Sequence, residues 1–218
     1  MKRIVKGKEP SDFTAWKEQF RQAHGKEPEY KDFRMTPEWE DLIQALLKEQ
    51  GYICCYCMQR IYGEDSHIEH FVPRDIKNTD PHSMRASDVE LNYGNLFESC
   101  NGEHWDWSHC GRFKDRESDP ILLSPAQEDI EERFCYGLDG SIDAVHADDS
   151  AAMSTIRILN LNDTVLKRHR RTAIFTALKN ADPKSSNEAL IDSYSRQDES
   201  GMFAPYCMAV IWALREFS

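Results

Sequence analysis

Apolar positions along the chain fall into two rhythms. Over residues 36–51, Trp39, Leu42, Ile43, Leu46 and Leu47 recur every three or four positions, which lays one apolar stripe along a helix. Thr36 is placed to cap that helix, Pro37 suits its first turn, Glu38 complements its dipole and Gly51 ends it. The helix runs straight into YICCYCMQRI, and residues 53–69 then read as two short extended pieces with a turn near 63–66. From Pro73 to about Asn92 an Asp/Ser/Asn-rich connection reads as a loop, after which NYGNLFESC resumes order. Asp139-Gly140 lies between two apolar runs, a hairpin signal. Asn162 or Asp163 can cap a second long helix reaching about Asn180, with Leu166, Ala173, Ile174, Ala177 and Leu178 on one side. Residues 205–217 are apolar on most faces and need covering by the rest of the fold or by a partner, and polar residues 182–200 link the two. The first 35 residues are charged, with Phe13, Trp16, Phe20, Tyr30 and Phe33 spaced for a short helix that docks by one face.

These elements predict an α+β chain, with a docking segment at 1–35, a core at 36–145 and a helical region at 146–218. At 218 residues there is enough chain to bury a core. With 27 Lys+Arg against 38 Asp+Glu the net charge is -11, which argues against a diffuse grip on polyanions, so any nucleic acid must bind locally. No apolar run is long enough to span a membrane, and the start MKRIVKGKEPSDF lacks the apolar stretch of a secretory signal, so a cytoplasmic location is expected. Seven cysteines without an export signal suggest thiols that are reduced or metal-bound rather than a disulfide framework. Cys55, Cys135 and Cys207 are expected as buried free thiols.

Cys54-x-x-Cys57 can fill adjacent corners of a zinc tetrahedron, and Cys100 with Cys110 supplies a second pair. The nine residues NGEHWDWSH between the latter two leave His104 or His109 able to replace a sulfur. The stretch HIEHFVPRD crowds His67, Glu69 and His70 before Pro73. If it ends a strand, His67 and Glu69 share one side and His70 takes the other, and a twist near Pro73 can bring them around one site. A neutral imidazole can take a proton from water and a neighbouring carboxylate can hold a divalent cation, together a hydrolytic half-site.

The order of these motifs, a Cys pair, Glu69-His70-x-x-Pro73, Asn95-Leu96 and a second Cys pair, resembles the HNH, or ββα-metal, nuclease family over about Trp39 to Lys114. The resemblance implies a ββα-metal core with structural zinc, framed by helices on both sides. It implies that His70 is the general base, that Glu69 ligates a catalytic Mg²⁺ or Mn²⁺, that His67 is a further ligand or orienting group, and that the Asn95 amide holds the base in position. Lys114 fits the family's pattern, and is expected to meet nucleic acid. Gly111, where the family often has Asn, does not fit, which leaves the last metal ligand open among His104, His109 and Asn101. More widely, IVKGKEP, HIEHFVPR, HCGRFK and ILNLNDTVLKRHRR resemble the HNH subunit (PtuB) of Septu-type anti-phage systems, including retron-associated ones. That implies an effector or toxin cutting DNA, or a structured RNA such as tRNA. Its implied partners are an ATPase subunit (PtuA-like) and a retron reverse transcriptase with its RNA/DNA. In LKRHRRT, Lys167, Arg168 and Arg171 share a helical face that can contact phosphates, or form a solvated face paired with acidic neighbours. The contrasting expectation is a zinc-stapled binding or scaffold subunit that no longer cleaves.

Overall fold

The computed structural model describes residues 1–74, 89–102, 108–115, 123–181 and 187–216. In chain order these form helices α1 (Ser11–His24), α2 (Tyr30–Phe33) and α3 (Glu38–Glu49), strands β1 (Ser66–His70) and β2 (Leu96–Cys100), and the single turn α4 (Gly111–Lys114). Strands β3 (Phe134–Tyr136) and β4 (Ile142–Ala144) follow, and then helices α5 (Ser150–Ile158), α6 (Thr164–Asn180), α7 (Glu188–Ser195) and α8 (Cys207–Glu216). Helices thus frame two small antiparallel sheets, β1-β2 and β3-β4. No helix among the described residues is long and apolar enough to cross a membrane.

Helix α3 buries Leu42, Ile43, Leu46 and Leu47, the stripe its spacing predicts. Its start differs from expectation: the Thr36 hydroxyl donates backwards to the Phe33 carbonyl at 2.9 Å, and Pro37 takes the cap position. Gly51 leaves the helix at φ 61°, where a Cβ would come within 3.0 Å of the Phe203 backbone nitrogen. The N-terminal helix docks through Phe13 and Trp16, each with its ring centroid 4.7 Å from that of Phe33.

The expected pair of extended pieces within 53–69 is corrected. Before β1 the chain makes an isolated bridge, Ile53 to Arg60, around a tight turn in which Met58 N donates to the Cys54 carbonyl at 3.1 Å, and a second turn at Gly63–Asp65, where the sequence places one. Bringing Cys54 and Cys57 onto one point requires that curl, so extended backbone is lost there. Strand β1 pairs instead with β2, in a register that sets His67 opposite Ser99, Glu69 opposite Phe97 and His70 opposite Leu96. The loop expected over 73–92 falls largely outside the described residues.

The β3-β4 hairpin turns through Gly140 at φ 86°, where any Cβ would run into the Lys167 carbonyl. Asp163, rather than Asn162, caps α6 by accepting from Val165 N at 2.9 Å. The Asn162 amide is used on the hairpin, donating to the Ile142 carbonyl and accepting from its N–H, both at 2.9 Å. Helix α8 is covered by α6, α7 and β3, so the rest of the fold buries this apolar segment. The stretch expected as a link between α6 and α8 carries α7. Cys55 and Cys207 are buried free thiols, but Cys135 is only half-buried, because it lies on the hairpin's outer side between two inward neighbours.

Candidate active site

Four sulfurs converge beneath the first sheet. Cys54, Cys57, Cys100 and Cys110 are all buried, with their Sγ atoms within 4.8 Å of one another, a group that can hold a metal ion such as zinc. The Cys57–Cys100 separation is 3.7 Å. A tetrahedral ion with Zn–S near 2.3 Å spaces its sulfurs by about 3.8 Å. Burial and the neighbouring sulfurs push the Cys110 thiol well above its ordinary range, so a cation is the natural counterweight to ionising the set. Cys110 reaches the cluster from a left-handed backbone at φ 63°, a conformation that non-glycine residues rarely adopt. His109 does not displace a sulfur: its Nδ1 flanks the group at 3.2 Å from Cys110 Sγ and 3.7 Å from Cys100 Sγ.

On the face of β1 that looks towards α4, His67 and Glu69 stand two residues apart, as alternation along a strand dictates. Asn101 Oδ1 lies 2.8 Å from His67 Nδ1, and Asn101 Nδ2 donates to the Ser66 carbonyl at 3.2 Å. Because an amide oxygen can only accept, His67 carries its proton on Nδ1 and turns Nε2 towards Glu69 Oε2, 3.6 Å away. That Nε2 is buried and has no hydrogen-bond partner among the described residues. With the ring neutral, two acceptors face each other at this buried position and can serve as ligands to a cation. Gly111 makes the approach possible, since a Cβ there would sit 2.8 Å from His67 Nε2 and closer still to Glu69 Oε2. Where the family pattern often has Asn, this chain leaves room that the His67 imidazole approaches.

The other carboxylate oxygen is held. Tyr56 Oη donates to Glu69 Oε1 at 2.9 Å, and the Lys114 ammonium pairs with the same oxygen while donating to the His70 carbonyl at 2.7 Å. Burial opposes the Glu69 charge, yet the carboxyl lies below its ordinary range, with the Lys114 ammonium among the groups that hold it there. Lys114 is therefore corrected as a surface contact for nucleic acid: it is only 7 % exposed and serves Glu69.

His70 points to the opposite face of β1 and packs edge-on to Tyr30, ring centroids 4.6 Å apart. Its Nε2 lies 2.9 Å from the Glu90 carbonyl oxygen, which fixes the proton on Nε2 and leaves Nδ1 as the acceptor. Burial, and after it the charge of Arg74, hold the ring's pKa down to about 4, so it is neutral at pH 7. The Asn95 side chain does not hold the ring directly. It accepts from Val72 N at 2.7 Å and donates to the Val72 and Val89 carbonyls at 3.1 Å, clamping the chain on both sides of His70 and next to Glu90. Asn95 thus reaches this ring only through the backbone it holds.

Of the open candidates for a last ligand, Asn101 orients His67, His109 flanks the sulfurs, and His104 lies outside the described residues. In α6, Arg168 and Arg171 are exposed, whereas Lys167 pairs with Asp139 at 2.7 Å and is drawn off their face. Sequence reasoning missed Tyr56 and the Glu90 carbonyl. The first is hidden inside the Cys pair without a spacing of its own, and a backbone carbonyl leaves no trace in residue identity.

No family model matches the chain. It is similar to a protein of retron Vc95 from Vibrio cholerae serotype O1 biovar El Tor, named for its inferred HNH endonuclease activity. The two are 24% identical over 129 residues, which is 57% of this chain and 59% of the relative. The chain thus spans less than two thirds of that relative's length.

Proposed function

We propose that the protein is a metal-dependent HNH endonuclease that hydrolyses phosphodiester bonds, with DNA as the default substrate and structured RNA as the alternative. The observation that carries this reading is the facing pair His67 Nε2 and Glu69 Oε2, followed on the same strand by His70, whose ring lies on the other face and whose carbonyl clasp leaves Nδ1 able to accept a proton. Glu69 and His67 are the residues that hold a divalent cation such as Mg²⁺ or Mn²⁺. That cation, when bound, supplies charge stabilisation at the scissile phosphate and its leaving oxygen. His70 takes the proton of the attacking water at Nδ1, while Asn101 keeps the His67 ring turned inward and Tyr56 fixes Glu69. Asn95 keeps the backbone around His70 in register. The four cysteines hold zinc in a separate, structural role.

We further propose that the chain acts as the effector of a Septu-like anti-phage system, working with an ATPase subunit and in some settings with a retron. The sequence resemblance and the name of the Vibrio relative support this. The test incubates wild type and His70→Ala with Mg²⁺ or Mn²⁺ on plasmid DNA and on total RNA, with and without the product of the adjacent gene. Cleavage by wild type that is lost in the variant is the expected result. If both proteins cut equally, or neither cuts, the assignment fails.

A further inference from the structure

The outward face of α6 has no part in the site above. Arg168, Arg171, Thr172, Phe175, Thr176 and Lys179 are exposed at helical spacing and line a shallow groove of about 480 Å³. The seventeen residues of α6, TVLKRHRRTAIFTALKN, contain no acidic side chain, although the whole chain carries 38 acids against 27 bases. Elsewhere on the helix, Lys167 pairs with Asp139, and Arg170 is buried with its guanidinium on the Leu161 carbonyl. Phe175 is 47% exposed, with the Arg171 guanidinium 5.6 Å from its ring centroid. The face runs from residue 168 to 179, roughly 16 Å at the helical rise, which is longer than a single phosphate requires.

We infer that this face of α6 is a second binding surface that takes an unpaired nucleic-acid strand, with Arg171, Lys179 and Arg168 on phosphates and Phe175 stacked on a base. The inference deepens the nuclease reading and rests on it. Charge favours a polyanion over a protein partner, because the cations follow one another without an interspersed acid. An aromatic face offered beside them favours unpaired bases over a duplex, whose bases are already stacked.

The test measures equilibrium binding by fluorescence anisotropy in a His70→Ala background without added Mg²⁺ or Mn²⁺, so that cleavage is not the readout. The probes are a labelled single strand and a duplex of the same length, titrated across KCl concentration. Replacing Arg171 and Lys179 together by Ala is expected to reduce the salt slope by about two, one for each phosphate contact. Phe175→Ala is expected to weaken single-strand binding roughly tenfold and duplex binding far less, and Phe175→Trp to restore it. Unchanged zinc content verifies the fold of each variant. The inference is overturned if the parent binds neither probe, if the substitutions leave affinity and slope unaltered, if Phe175→Ala weakens both probes alike, or if they abolish only binding of a protein partner. Each of these leaves cleavage by the wild type to be judged separately.

Discussion

His70 meets the Glu90 carbonyl through Nε2 at 2.9 Å, and a carbonyl only accepts, so this ring is committed to one tautomer before any substrate arrives. Its burial adds a second commitment, because the charged form is disfavoured and the pKa falls to about 4. Ring ¹⁵N spectra of the labelled protein are therefore expected to report the Nε2–H tautomer for His70 and a neutral ring well below pH 6.5. A midpoint at or above 6.5 would remove the pre-set base from the mechanism. Gly111 raises a different issue, since the space where a side chain would stand is shared by His67 Nε2 and Glu69. Gly111→Ala must push both aside, and displacement by about an ångström costs catalysis on the order of a hundredfold. Cleavage rate at saturating Mn²⁺, with zinc stoichiometry measured alongside, tests this; full activity with zinc retained would mean that these two groups do not need their close approach.

Helix α3 was legible because one rhythm of Trp39, Leu42, Ile43, Leu46 and Leu47 admits only a helix, and the caps differ from expectation by a single residue. The hairpin around Asp139-Gly140 was equally readable, since a turn with positive φ asks for glycine. What could not be read was the pairing of β1: its partner β2 lies some twenty-five residues on, and no local pattern records which strand a strand will meet. The site divides the same way, with Glu69, His67, His70 and the cysteines visible as residue types, but the Tyr56, Asn101 and Glu90 supports set by tertiary approach. Strand β2 also carries Glu98, fully buried opposite Ile68, with neither carboxyl oxygen hydrogen-bonded among the described residues. Burial raises its pKa to about 8, against 4.5 when exposed. Between these values the folded chain holds a proton that the unfolded chain releases, so stability falls as pH rises through that window. Glu98→Gln keeps the shape of the protonated acid and lacks this titration. The variant is expected to unfold at higher urea concentration than wild type at pH 8 and at a similar concentration near pH 4.5; equal curves at both would place the carboxyl in contact with water.

At the scale of the whole molecule, the four sulfurs decide how far the parts depend on each other. Cys54 and Cys57 follow α3, Cys100 closes β2 and Cys110 opens α4, so one ion there would cross-link the first helical region to both sides of the His67–Glu69 pair. The Cys110 N–H also donates to the carbonyl of Leu159, which caps the end of α5, at 2.9 Å, so the tie extends to the C-terminal helices. β1 and β2 are five residues each, too little sheet to be stable on its own. The two proposed metals, one at the sulfurs and one at Glu69, should then separate by variant. Glu69→Gln is expected to keep its zinc and its near-ultraviolet dichroism while losing cleavage, because the sulfurs are untouched. Cys57→Ser, or prolonged chelation of wild type, is expected to lose zinc together with the aromatic dichroism of the region packed on β1 and β2, as binding energy at such a site is folding energy. Chelated protein that retained its dichroism and melted where the wild type does would show that the sulfurs are an ordinary buried cluster, and the fold would have to be held by the helices alone.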